Sequence, residues 1–427
     1  MPLAIRGVPM FVGIADEQAG YVICKSLLTG LSRRCLRKLY CGVLDPNSEI
    51  AQELADLGAH VVSFRPGCSS IDATQPSGST SDGNSSSSSS TSSSYSVEGN
   101  RDGRIRGGSR SNSGCSSNGS GGGVCESPCY SVLRRCSVAL LVPNHTGTPD
   151  TQPMEDWTYL VELAHRARVE FVFMLSLVGI DYVTSPRLKA FVKMEHHFRD
   201  AFPRPGRPPK GASGGDAGSC GGYAARPWTP RRAQIIRKSL PLENLLLYRA
   251  GIQTTATLAI PIWQNEFSPV AIADVALGVL YLMQADFTVV SQGDHSYAGL
   301  TGGGPLPPPS TLPLAVVHFT GPELVQGRQM AEYASQVLHT DLQFTPMRDY
   351  AEVRHYLACT SRLQPDEIEF LVEVYEAINA GFMTRQSGDL AQLLGHPPMG
   401  VRKFFEYNEG SFRPPVNPTV RPESDLL

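Results

Sequence analysis

Three short apolar runs, 9–15 (PMFVGIA), 39–44 (LYCGVL) and 60–64 (HVVSF), most constrain what this chain can fold into. Each has the length of a strand, and none alternates with polar residues, so each reads as a strand buried on both faces. An amphipathic stretch from Glu17 to about Ser32 separates the first two. The stretch 47–58 (NSEIAQELADLG) separates the second from the third. In it Asn47 is the expected cap, acidic residues fill the first turn and Gly58 is the stop. Strand–helix alternation with fully apolar strands predicts an α/β fold built on a doubly wound parallel sheet.

The pattern breaks at Cys68. Residues 68–126 are rich in Ser and Gly, with an unbroken serine run at 85–90. Such a segment lacks the apolar area that would offset the entropy lost on ordering, so a disordered insert is expected. Arg101, Arg104, Arg106 and Arg110 give it a weakly basic patch, read as solvated linker. Alternation resumes with strands at 137–142, 169–177 and 232–239 and helices at 156–168 and 187–202. Residues 203–230 form a second, Pro/Gly-rich insert, and 299–313 a shorter loop. The segment 267–284 starts extended and becomes helical. A strand at 315–320, a helix at 322–338, a short strand at 342–345 and a helical remainder to 412 follow. The expected division is a main domain of 1–67 with 127–285, a C-terminal lobe of 286–413 and a flexible tail of 414–427. Insertions between elements cost little stability.

Composition excludes several classes. The formal net charge is -3, from 37 basic and 40 acidic side chains, which offers no basic stripe for nucleic acid. No run reaches the ~20 apolar residues of a spanning helix, and the first apolar run reads as a strand, not a signal peptide. The 10 cysteines are scattered. Cys125 and Cys129 make one C-x3-C pair with no second pair at zinc spacing, so free thiols and no metal are expected. The expectation is a cytoplasmic protein, with the nucleus as the alternative. Glu195, His196 and His197 imitate a metal cluster in composition, but adjacent helical residues point about 100° apart, and a solvated face is expected. Residues 389–405 imitate a helix–turn–helix. Their double proline and apolar face predict a packed lobe instead, with no direct nucleic-acid contact.

A strand–loop–helix opening is where a dinucleotide pyrophosphate can approach a helix N-terminus. Here the loop runs from Gly13 through Ala15 to Gly20, and alone it spells no dinucleotide fingerprint. Later segments carry a resemblance. Ser176-Leu177-Val178-Gly179-Ile180-Asp181, then Lys193-Met194-Glu195 with Phe198-Arg199, are similar to a strand end and helix of NmrA-like proteins. Arg237-Lys238-Ser239 leading into Leu242-Glu243-Asn244 resembles another segment of that family, with Lys238 where a proline is usual. The stretches 270–276 (VAIADVA), Phe319-Thr320-Gly321-Pro322-Glu323-Leu324 and 393–398 (LLGHPP) continue the match in order. The chain thus resembles the NmrA-like branch of the short-chain dehydrogenase/reductase superfamily, nearest to fungal homologues. The resemblance implies a Rossmann-like core under a smaller α/β C-terminal lobe. It also implies NAD(P) as cofactor, and either a regulator acting through protein partners such as a transcription factor or an NADPH-dependent reductase.

The departures are specific. Counting back from Leu27-Leu28 puts the three fingerprint glycines at Ile14, Glu17 and Gly20, and only the last is glycine. Ile14 adds bulk at the tight turn, and Glu17 sets a carboxylate where pyrophosphate would approach. Leu44 stands where an arginine meets the 2′-phosphate in NADP-binding relatives. Asp45 can accept from a ribose, favouring NAD. Tyr182 is followed four residues on by Pro186, so the superfamily's Tyr/Lys pair is missing. The candidate catalytic residues are therefore Ser176 and Lys193. The candidate cofactor contacts are Gly13, Ala15, Gly20, Asp45, Pro143 and Asn144. The leading expectation is a regulatory protein with weakened NAD(P) binding.

Overall fold

A computed structural model describes residues 8–15, 18–29, 36–64, 127–144, 152–202, 230–292 and 316–413. The described residues all lie in one compact unit, Met1–Ala73 with Ser127–Leu427. The inserts expected at 68–126 and 203–230, Pro230 excepted, and the tail lie outside the described residues, as do Asp16 and Glu17.

The N-terminal half alternates as the apolar runs predict. It contains β1 (Val8–Gly13), α1 (Gln18–Thr29), β2 (Leu36–Val43), α2 (Glu49–Asp56), β3 (His60–Ser63) and α3 (Pro128–Leu133). Then come β4 (Val138–Leu141), α4 (Gln152–Arg166), β5 (Phe171–Leu177), α5 (Pro186–Ala201) and β6 (Arg232–Lys238). Further on are α6 (Arg249–Thr255), β7 (Thr257–Ile260), α7 (Ile272–Gln292), β8 (Val316–Phe319), α8 (Gly327–Leu338) and β9 (Gln343–Pro346). Five helices end the described chain: α9 (Tyr350–Thr360), α10 (Pro365–Asn379), α11 (Asp389–Leu394), α12 (Val401–Tyr407) and α13 (Glu409–Phe412).

Seven strands form one sheet in the order β3-β2-β1-β4-β5-β6-β8, every pair parallel. This is the Rossmann-like, doubly wound α/β fold, with the order reversing between β1 and β4. Period-2 alternation sends successive residues to opposite helix layers. Met10 and Val12 of β1, with Phe171, Phe173 and Leu175 of β5, pack with α1, α2, α7 and α11. Phe11, Val172 and Met174 pack with α3, α4 and α5. Both faces are therefore dry, which is why the strands read as continuous apolar runs. The Trp157 indole N–H donates to Met194 O at 3.2 Å and ties α4 to α5.

Three differences from the sequence reading have physical causes. The α2 cap is Ser48, whose hydroxyl accepts from Ala51 N, while Asn47 sits in the preceding turn with its N–H on Asp45 Oδ1 at 2.9 Å. The helix expected at 322–338 begins only at Gly327, because Val325 pairs in extended form with Phe267. The third concerns the lobe boundary. β8 was expected in the lobe but is the seventh strand of the main sheet. Conversely, β7, absent from the sequence reading, pairs with β9 to make the lobe's own two-stranded sheet. The lobe core draws on α6, β7, α8, α9, α10, α12 and α13. Val401, Phe404 and Phe405 are buried within it, while Leu390 and Leu394 of α11 are buried against the main sheet, so the 389–405 segment is packed as its apolar face predicts.

Candidate functional site

The candidate cofactor residues Gly13, Ala15, Asp45, Pro143 and Asn144 fall at or just past the carboxyl ends of three neighbouring strands, β2, β1 and β4. The strand order reverses there, the position where open α/β sheets bind ligands. Ile14 adopts φ 55°, the left-handed turn a glycine would take. Its side chain does not fill the space above the turn. It is fully buried in the core formed by Phe11, Phe64, Leu141 and Trp157. The bulk expected to obstruct the turn is thus absorbed by the core, and the remaining cost is backbone strain of about 1–2 kcal/mol. Gly20 is sterically required. A Cβ there would lie 2.4 Å from Ile14 O and 2.9 Å from Ala15 Cα. Helix α1 can therefore sit close behind the turn, with its N-terminus facing the strand ends.

The polar groups around the turn are partly engaged. Ala15 N–H donates to Gly42 O at 2.8 Å. Asn144 is buried and its Nδ2 donates to Asp156 Oδ2 at 3.1 Å. Asp45 is exposed at the end of β2 and turns the chain into α2. Gly20 lets α1 pack against the turn, while Glu17, whose carboxylate was expected to oppose a pyrophosphate, lies outside the described residues.

Ser176 and Lys193 are not brought together. Ser176 is buried, and its hydroxyl donates to Glu195 Oε1 at 2.7 Å. Lys193 is exposed on the far side of α5. Glu195, expected on a solvated face, is buried instead. It accepts from Arg237 Nε and Nη2 at 2.9 Å each and from Arg199 Nη2 at 2.7 Å. Arg237 also grips Asp181 through Nη1 at 2.5 Å and Nη2 at 2.8 Å. The Arg237 hydrogen bond, opposed by burial and aided by the Arg237 charge, leaves the Asp181 carboxyl below its ordinary range. This network joins the ends of β5 and β6 to α5 and leaves Ser176 a structural partner. His196 is exposed and His197 half-buried. No cluster of three His, Cys, Asp or Glu side chains placed to hold a metal occurs among the described residues.

Two further groups escaped the sequence reading as site residues. Lys238 follows Arg237 on β6 and points to the opposite face. It is only 6% exposed. It lines a cavity of about 40 Å³ with Glu243, Asn244, Leu177, Ala19 and Phe370. Burial pulls the Lys238 ammonium down to about 8 despite the opposing pull of Glu243. Burial likewise raises the Glu243 carboxyl to about 7, against hydrogen bonds that favour its charged form. One of these is from Ile272 N–H, at 2.9 Å. The available signal was a lysine closing a strand that is otherwise buried, where the related segment has proline.

No family model and no curated protein sequence matches the chain. Solved structures do. An NADPH-dependent quinone oxidoreductase from Escherichia coli aligns at TM-score 0.52 and 14% identity, covering 93% of this chain and 98% of that one. The Citrobacter sp. triphenylmethane reductase, complexed with NADP(H), aligns at 0.53 and 13%, over 93% and 98%. A nucleoside-diphosphate-sugar epimerase from Staphylococcus aureus aligns at 0.52 and 10%, over 93% and 99%. At these identities the likeness establishes the shared fold. No helix among the described residues is long and apolar enough to cross a membrane.

Proposed function

We propose that this chain is an NAD(P)-linked oxidoreductase of the atypical short-chain dehydrogenase/reductase class, of NmrA-like type, with a weakened dinucleotide loop. The observation that carries the reading is the β1–α1 turn. It keeps the left-handed bend at Ile14 and the close approach at Gly20, and it buries the isoleucine side chain away from the strand ends. A reductase agrees with the likeness to a quinone oxidoreductase and a triphenylmethane reductase, which stands beside an equal likeness to a nucleoside-diphosphate-sugar epimerase. A bound reduced dinucleotide would supply hydride. This chain's part is to seat its pyrophosphate against the α1 N-terminus and its ribose near Asp45. With Leu44 in place of a 2′-phosphate arginine, NADH is expected to bind more tightly than NADPH. Isothermal titration with both, followed by turnover with a quinone and aldehyde panel, tests the reading. Saturable binding below about 1 mM with turnover supports it, and no binding at that concentration sinks it.

A second reading, a regulator acting through protein contacts such as those with a transcription factor, is favoured by the engaged Ser176 and the missing Tyr/Lys pair. Tyr182 is 69% exposed and has Pro186 where the lysine belongs. Dinucleotide binding without turnover across the panel would favour this reading.

A further inference from the structure

The Lys238 side chain has no hydrogen-bond or ion-pair partner among the described residues, although it is nine-tenths buried. The sheet makes its surroundings. Leu177 is its register partner on β5 and lines the same cavity. The α1 residues Ala19 and Val22, Ile272 at the start of α7, and Phe370, Leu371 and Val374 of α10 close the walls. None of these carries a charge. Among the described residues, the ionisable group that faces the lysine is Glu243, and Asp274 in turn acts on Glu243. An ammonium held in an apolar cavity without a counter-ion in contact is poorly stabilised, so its neutral fraction rises well above that of an exposed lysine.

A neutral lysine in an apolar pocket beside a protonatable carboxyl is the equipment for imine formation. We propose that Lys238 captures a small aliphatic aldehyde in this cavity as a Schiff base, with Glu243 as the proton shuttle. The neutral Nζ attacks the carbonyl carbon, and the C=O π pair moves to oxygen, which takes a proton. Nζ loses a proton to give the carbinolamine. Glu243 protonates the hydroxyl, the C–O bond breaks, and water leaves as the C=N bond forms. Carboxylate and protonated imine remain, with no change of oxidation state. A volume of about 40 Å³ admits the carbonyl end of a short-chain aldehyde and excludes a whole dinucleotide. The capture does not depend on NAD(P) binding, so it stands or falls apart from the oxidoreductase reading.

The test is reductive trapping of the full chain with propanal and cyanoborohydride, read by peptide mass mapping. At pH 7 roughly one Lys238 in ten is neutral against about one exposed lysine in 2,500. Lys238 is therefore expected to be alkylated at least tenfold faster than the exposed Lys193. The Glu243→Gln variant should slow Lys238 labelling tenfold or more while leaving Lys193 unchanged. Lys238→Arg keeps the charge but cannot form the imine, and it should abolish the fast label with the circular dichroism spectrum retained. Labelling of Lys238 no faster than Lys193 in the wild-type chain would overturn the proposal. Fast labelling that survives Glu243→Gln would overturn the role given to Glu243.

Discussion

At the residue scale, two positions hold strain that can be measured. Ile14 is a β-branched residue at φ 55°, and its side chain is fully buried. Truncation to alanine keeps the strained backbone and loses the packing. Truncation to glycine loses slightly more packing but releases the strain. Ile14→Gly is therefore expected to be as stable as Ile14→Ala or more so, by up to about 1 kcal/mol. Chemical denaturation of both variants would check this, and a clear advantage for alanine would refute the strain argument. Lys238 is the second position. Below pH 8 it is charged in both folded and unfolded chains, and the folded state carries the full cost of a buried ammonium. From pH 8 toward 10.5 the folded state releases the proton first, and the cost fades. Lys238→Met should stabilise the protein at pH 7 by about 1–3 kcal/mol. The gain should shrink as the pH rises to 10, measured as the difference between the two denaturation midpoints.

At the element scale, the geometry depends on side chains that reach between helices and strands. Helix α1 can approach the β1 turn only because residue 20 lacks a side chain. Gly20→Ala would ordinarily favour a helix by up to ~1 kcal/mol. Here its Cβ would meet backbone at 2.4 Å, so a loss of about 2 kcal/mol or more is expected, along with weaker dinucleotide binding by calorimetry. Arg237 joins β6 to α5 and to the turn after β5. Arg237→Met would leave the buried Glu195 without its main partner, at a cost of about 3–5 kcal/mol in thermal or urea unfolding. The N-terminus of α5 shows how far such reach extends. Ser185 makes no side-chain cap there, and Glu373 of α10 instead accepts from Arg187 N at 3.0 Å and Leu188 N at 3.2 Å.

At the scale of the whole molecule, residues 74–126 are rich in Ser and Gly and bring few apolar side chains that a core could bury. Replacing that segment by a short Gly/Ser linker shortens a loop, and closure entropy changes only logarithmically with length. The expected shift in stability is under about 1–2 kcal/mol, read as a small change in Tm. Loss of cooperative unfolding on deletion would show that the segment takes part in folding. The lobe is built from two separated stretches of chain, one around β7 and the other following β8. Its formation therefore requires the main sheet to bring them together.

What the sequence by itself determined is the parallel sheet, because strands buried on both faces must be apolar throughout and this pattern survives without contacts. It also raised the expectation of a weakened glycine loop and a lost Tyr/Lys pair, because a resemblance compares residue types at a spacing. Only the tertiary structure decided where the Ile14 side chain goes, because a left-handed residue can turn inward or outward. It alone made Glu195 a buried partner of Arg237 and a partner of Ser176 rather than a solvated helix residue. It alone separated Arg237 from Lys238, whose adjacent positions on a buried strand send one into an ion network and the other into an apolar cavity. A charge at the end of an apolar run looks the same in sequence whether it meets water, an opposite charge or neither. Burial decides among the three, and burial is set by elements far away along the chain.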